Sequence, residues 1–145
     1  MLVRDVMESR LEVVGPNQSL AEAAQKMRDA DVGSLPVVED AKLIGIVTDR
    51  DIVVRCVAEG ADPKATSVRQ AASQDVVHCL ADQSLEDASK IMAAAQVRRL
   101  PVIDHDRRLV GIVALGDISR ERSSSAEAGI ALHEISEPKR PSRTI

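Results

Sequence analysis

Ser19–Met27 reads SLAEAAQKM, and 65 residues later Ser84–Met92 reads SLEDASKIM. In the same register, VGSLPVV from Val32 returns as VRRLPVI from Val97, and Val3-Arg4 returns as Val68-Arg69. After the Leu-Pro-Val triplets the second copy carries one extra residue, so GIVTDRD at Gly45 matches GIVALGD at Gly111. The insertion falls in a polar turn, EDAK against DHDRR, where a duplicated fold tolerates it. The chain is therefore read as a tandem repeat whose two copies fold alike.

The periodicity within each copy predicts its elements. Leu20, Ala23, Ala24 and Met27 share one helical face, with Ser19 as N-cap and Glu22 completing a capping box. Leu85, Ala88 and Met92 repeat that stripe behind Ser84. Short apolar runs predict strands at Leu11–Val14, Leu35–Val38 and Leu43–Val47, and again at Val76–Cys79, Leu100–Ile103 and Leu109–Val113. A second helix is expected from Asp49 towards Ala58, and its counterpart from Gly116 to Arg122. The fold class is thus α/β (α+β), with two βαββα repeats: residues 1–58, a linker at 59–67, and residues 68–122. Residues 123–136 are expected to add a C-terminal helix, with Ala128, Ala131, Leu132 and Ile135 on one face and Glu127 capping Ser124. Residues 137–145 are polar with two prolines and read as a disordered tail.

Composition narrows the function. At 145 residues the chain suits one compact domain or two small halves sharing a core. It contains no Phe, Trp or Tyr, so the core is aliphatic and base-stacking sites for single-stranded nucleic acid are excluded. A net charge of -4 argues against electrostatic DNA binding, and no specific nucleic-acid partner is expected. No apolar run is long enough to span a membrane, and MLVRDVMESR does not read as a signal peptide, so a cytoplasmic location is expected. Cys56 and Cys79 are too few for a disulfide framework. His78 and Cys79 are adjacent on a strand, face opposite ways and do not make a metal site. No metal is expected.

The Leu-Pro-Val triplets and the Gly-Ile-Val-Thr-x-x-Asp pattern, each recurring in register over about residues 2 to 122, resemble the CBS-domain family in its paired form, the Bateman module. The whole is similar to stand-alone bacterial CBS proteins linked to hypoxia and stress responses. The resemblance implies two repeats packed by pseudo-twofold symmetry, with two clefts between their sheets, and dimerisation through helices. It also implies an adenine nucleotide ligand (AMP, ADP, ATP or S-adenosylmethionine) in the clefts of many members, with no required cofactor.

The candidate site residues follow. A carboxylate can accept both vicinal hydroxyls of a ribose, and the resemblance assigns that role to Asp51 and, in the second copy, to Asp117. Thr48 is assigned a ribose or phosphate contact, beside a helix N-terminus whose N–H groups suit an anion. Thr48 and Asp51 also read as ordinary cap and first-turn residues, but that does not explain why aspartate recurs at Asp117. Pro36 and Pro101, with Val13 and Val77, are expected to line the adenine slot; a strand-start proline explains them about as well. Arg50 flanks the first site. Arg99, with Arg98 beside it, is expected to offer a cation to a phosphate in either cleft; a solvated, charged strand end is the other reading, and it suits Arg98 better than Arg99. Ala114 stands where Thr48 does, and Gly116 where Arg50 does. A lost hydrogen bond to a charged phosphate costs about 1.5–3 kcal/mol, so the Asp51 cleft is expected to be the tighter.

No nucleophile–base pair, P-loop or paired catalytic carboxylates stand in recognisable context, so the chain is not expected to be an enzyme. The leading expectation is a nucleotide-sensing regulatory module, a homodimer acting on an unidentified separate partner protein. The alternative is a ligand-free dimeric adaptor.

Overall fold

The structure, a computed structural model, describes residues 1–121 and 125–136. The expected tail at 137–145 and the cap at Ser124 lie outside those residues. The described chain forms two compact units. The first unit comprises residues 10–76 with 106–109. The second comprises residues 1–9, 77–105 and the described residues from 110 onward.

The first unit opens with α1 (Leu20–Ala30), followed by β1 (Ser34–Glu39), β2 (Lys42–Thr48) and α2 (Asp49–Ile52). A π-helical turn, Val53–Val57, continues α2, and α3 (Val68–Ala71) comes after the linker. The second unit repeats the plan as β3 (Cys79–Leu80), α4 (Leu85–Ala95), β4 (Arg99–Ile103), β5 (Leu109–Ala114, whose first residue falls in the first unit) and α5 (Leu115–Ser119), and adds α6 (Ser125–Ser136). A 3-10 turn, Val3–Asp5, is the counterpart of α3.

The helix starts follow the sequence reading. Ser19 Oγ accepts from Glu22 N–H (3.1 Å) and Ser84 Oγ from Asp87 N–H (3.0 Å). The Glu22 carboxylate instead accepts from Gln18 Nε2 (2.8 Å), so the expected reciprocal box is half made. α1 buries Leu20, Ala23 and Met27, while Ala24 is exposed. The strand after each first helix and its hairpin partner also form as read, β1 pairing antiparallel with β2.

The expected first strands are corrected. Leu11–Val14 forms only a single parallel bridge, Val14 to Val37, and Val76–Cys79 yields only Cys79–Leu80, parallel to β4. Proline is the reason. Val14 N–H donates to Pro36 O and Val38 N–H to Val14 O. The next rung of a parallel ladder would use the N–H of Pro36, which does not exist. Pro101 stops the second ladder in the same way.

The later helices also differ from expectation. The segment from Asp49 is α-helical for four residues and then π-helical, ending at Val57. Its counterpart spans Leu115–Ser119, shorter than the expected run to Arg122. On α6, Ala131 is buried and Ile135 packs against the core, but Leu132 is exposed; the side chains of Glu127 and Ala128 lie outside those described.

Core residues fall into one cluster per unit. Val14, Leu20, Leu35, Val37, Val47 and Cys56 belong to the first, and Leu85, Met92, Leu100, Val102, Val113 and Ile118 to the second. The sequence suggested a single shared core, whereas each unit buries its own.

The segment opening each copy docks outside its own sequence repeat. Val3 N–H donates to Gln83 O (2.9 Å) and Arg4 N–H to Ala81 O (3.0 Å), both in the second unit. In the first unit, Val68 N–H donates to Gln18 O (2.8 Å) and Arg69 N–H to Pro16 O (2.9 Å). Farther along, Glu8 exchanges two backbone hydrogen bonds with Ile112, and Ser73 with Ile46. These crossings need close approach: a Cβ at Gly45 would lie 2.8 Å from Ser73 O, and one at Gly111 would lie 3.1 Å from Glu8 O.

Candidate functional site

β2 and β5 end at equivalent points, each leading directly into a short helix with aspartate in its first turn. Thr48 N–H donates to Asp51 Oδ2 (2.9 Å), and Asp51 N–H donates to Thr48 Oγ1 (3.0 Å). The box is closed on both sides. In the second copy Ala114 N–H donates to Asp117 Oδ2 (3.0 Å), but Ala114 has no oxygen to return the bond. Each carboxylate thus spends one oxygen on the strand end. The other, Oδ1, faces a guanidinium: Arg55 at 3.9 Å from Asp51, and Arg120 at 2.9 Å from Asp117. The two aspartate side chains are 17% and 24% exposed, enough for a ligand hydroxyl to reach them.

The expectation of free helix N–H groups in the first copy is corrected. Asp49 N–H donates to Gly33 O (2.9 Å) and Arg50 N–H to Asp49 Oδ1 (2.8 Å). With Thr48 and Asp51 N–H also committed, the backbone N–H groups of residues 48–51 are all engaged and none is left for an anion. The short acidic sequence Asp49-Arg50-Asp51 supplies its own acceptors.

The other candidate residues are only partly brought together. Pro36 is buried in β1 opposite Ile46, and its carbonyl meets Val14 N–H, which places it beside Val13. The Val13 carbonyl, which points away from β1, accepts from Lys26 Nζ (2.6 Å). Arg50 is exposed on α2. In the second unit Pro101 is buried in β4, while Val77 is exposed. Arg99 and Ala114 line one cavity of about 490 Å³, together with Arg98, Gly116 and Arg120. Leu115 N–H donates to Arg98 O (2.8 Å), which fixes the start of α5 against the arginine pair.

The first unit has a smaller cavity, about 230 Å³, beside Gly45 and Ala72, with Glu39 and Arg69 on its lining. Thr48, Arg50 and Asp51 do not line it. Met7 explains why it exists. Met7 is the counterpart of Ala72 in the 65-residue register, and its sulfur lies within 2.6 Å of a Cβ built on Gly111. The methionine fills in the second unit what alanine leaves open in the first.

Sequence reading missed Arg120 as a partner of Asp117, and α6 as a wall of the larger cavity, where Gly129 and Leu132 lie. The i, i+3 spacing of Asp117 and Arg120 was an available signal. The wall was not legible, because helical periodicity marks only the face that enters the core.

The two cysteines are buried free thiols. Burial pushes the Cys79 thiol up to about 12, which leaves it protonated and unreactive.

A family model described as CBS domain matches the chain twice, over residues 3–57 and 68–124, in step with the duplication. The chain is 46% identical over 134 residues to the CBS domain-containing protein YhcV of Bacillus subtilis, covering 92% of this chain and 94% of that protein. Among solved structures, Hypoxic Response Protein I with two coordinated zinc ions superposes with TM-score 0.75 at 39% identity, over 83% of this chain and 98% of the other. CBSX2 of Arabidopsis thaliana in complex with AMP gives 0.70 at 30% identity, over 82% and 93%. The CBS domain pair of MJ0100, in complex with 5-methylthioadenosine and S-adenosyl-L-methionine, gives 0.67 at 28%, over 83% and 94%. With both copies matched and most of its described length accounted for, the chain belongs to the CBS-domain family.

Proposed function

We propose that this protein is a regulatory module that binds an adenosyl ligand through the carboxylates of Asp51 and Asp117, and that it acts as a homodimer on a separate partner protein. The observation carrying this reading is the recurrence of one arrangement. In both units a strand end is tied to an aspartate by one carboxylate oxygen, leaving the second oxygen to a guanidinium and to a ligand. The second oxygen keeps lone pairs with which to accept a ribose hydroxyl, while the first holds the carboxylate in place. AMP in one structural neighbour, and 5-methylthioadenosine with S-adenosylmethionine in another, share the adenosine that this arrangement would read. Thr48, Arg50, Pro36 and Val13 would complete the first site, and Ala114, Arg99, Pro101 and Val77 the second. The role is binding and not catalysis.

Among the described residues no group of three His, Cys, Asp or Glu side chains could hold a metal ion. Among those same residues no helix is long and apolar enough to cross a membrane.

A thermal-shift screen with AMP, ADP, ATP and S-adenosylmethionine tests the reading. A ligand present at a hundred times its Kd stabilises the fold by about 2.7 kcal/mol, a shift of several degrees. At least one adenosyl compound should do so, and adenine-free phosphates should do less. The adaptor reading is the second, favoured by Val53, Val54 and Val57, which lie exposed together on the π-helical turn. No shift with any compound, in a protein that is still dimeric, would select it.

A further inference from the structure

The cavity of about 230 Å³ in the first unit is a space that the second unit fills with its own chain. Around it the duplication is well kept. Val37, Ile44 and Gly45 return as Val102, Val110 and Gly111, and the charged pair Glu39 and Arg69 returns as Asp104 and Arg4. Of the lining positions only Ala72 is exchanged for a long apolar side chain, Met7. The sulfur and Cγ of Met7 lie 2.6 and 2.9 Å from a Cβ built on Gly111, whereas a Cβ on Gly45 would meet the Ala72 Cβ only at 3.8 Å. An unbranched thioether adapts to irregular apolar space. The second unit thus displays, at the matching place, the kind of group that the open cavity accepts.

The lining of the open cavity is chemically divided. Pro16 and Val37 are buried and Ile44 is half-buried, which makes one part apolar. The other part is ionic. Arg69 Nη2 meets Glu39 Oε2 at 3.1 Å, and the two side chains are 48% and 44% exposed, so this pair stands where the lining reaches solvent. An exposed ion pair contributes little by itself. It also keeps unused capacity, because a guanidinium has five N–H donors and a carboxylate two acceptor oxygens. A zwitterion lying across the pair sets its carboxylate against Arg69 and its ammonium against Glu39. The volume falls below the roughly 300–1,000 Å³ of sites for drug-sized ligands, so the occupant is small. We propose that this cavity binds a free amino acid with an unbranched apolar side chain, methionine or a close isostere, with the side chain inside and the charged groups on Glu39 and Arg69. Thr48, Arg50 and Asp51 do not line the cavity, so the proposal stands apart from the adenosyl reading above.

Titration of L-methionine into the isotope-labelled full chain, followed through its amide resonances, both locates and measures the binding. Saturable shifts are expected at Gly45, Arg69 and Ala72, and L-norleucine should match methionine. L-Valine, which is shorter and branched, and N-acetyl-L-methionine amide, which carries neither charge, should each bind about tenfold or more weakly. Arg69→Gln and Glu39→Gln should each weaken L-methionine by a similar factor. Ala72→Met should abolish binding in a protein whose unfolding midpoint is unchanged or raised. The Asp51→Asn, Asp117→Asn double variant should bind L-methionine as the native chain does. Absence of saturable shifts at Gly45 and Ala72, or binding that survives Ala72→Met, overturns the site. Equal binding of N-acetyl-L-methionine amide overturns the free amino acid as occupant and points to a methionine side chain of a partner instead. Loss of L-methionine binding in the double aspartate variant assigns it to the adenosyl site and overturns the proposal, whereas failure of AMP to bind leaves it standing.

Discussion

Thr48 and Ala114 hold the same place at the end of equivalent strands, with nearly the same extended backbone (φ −116, ψ 162 and φ −108, ψ 153). One hydroxyl separates them. Threonine returns the hydrogen bond of its aspartate and alanine cannot, so the second copy lacks one cap that the first has. Ala114→Thr should restore it and stabilise the protein by about 1 kcal/mol, the usual worth of an N-cap. Thermal unfolding reads this as a rise of a few degrees, and an unchanged or lowered midpoint would contradict it. Asp82 offers a second test at this scale. Its carboxylate contacts His105 Nε2 at 2.7 Å, and that hydrogen bond, together with the neighbouring charges of His105 and Arg4, holds Asp82 below the usual carboxylate range. The folded value is depressed, so the contribution is present above the unfolded carboxylate range and is lost as pH falls through the lowered value. Carboxyl carbon shifts should show Asp82 titrating below an ordinary aspartate, and His105→Ala should move it back up.

At the scale of elements, the hairpins and long helices were legible because alternation and 3.6-residue periodicity are local signals. Ser19 and Ser84 announce their helices, and Leu35–Val38 and Leu100–Ile103 lie within observed strands. The short first strands were misread for a reason also present in the sequence. Leu11–Val14 looks like a strand by itself, but its ladder partner contains Pro36, and pairing cannot be seen one segment at a time. The candidate carboxylates were legible from the duplication, while the engaged N–H groups of α2 were not, since they depend on where Gly33 O and Asp49 Oδ1 come to lie. Packing gives a clear pair of predictions. Ala72→Met should fill the small cavity as Met7 fills its counterpart, raising the unfolding midpoint slightly. Gly45→Ala should destabilise by about 1–3 kcal/mol, because its Cβ would meet the Ser73 carbonyl at 2.8 Å and backbone must yield. Denaturant titration distinguishes both from neutrality.

For the whole molecule, the two units follow the duplication only after exchanging their opening segments, residues 1–9 belonging with the second and 68–76 with the first. Local patterning could not reveal this, since Val3-Arg4 and Val68-Arg69 would dock equally well by composition. The exposed valines of the first unit bear on assembly. Val54 is 45% exposed, so Val54→Glu should fold normally. If this face joins two copies, sedimentation should find the native chain dimeric and the variant monomeric; a variant that stays dimeric removes this face from the interface.

The claim that matters most is that the paired carboxylates receive an adenosine. Calorimetric titration of AMP into the native chain and into the Asp51→Asn, Asp117→Asn double variant tests it directly, because asparagine keeps an acceptor for the strand-end N–H while removing the charge. Saturable binding to the native chain that is lost in a variant with unchanged unfolding midpoint is the predicted result. Binding of equal strength to both proteins, or none to the native chain, would contradict it.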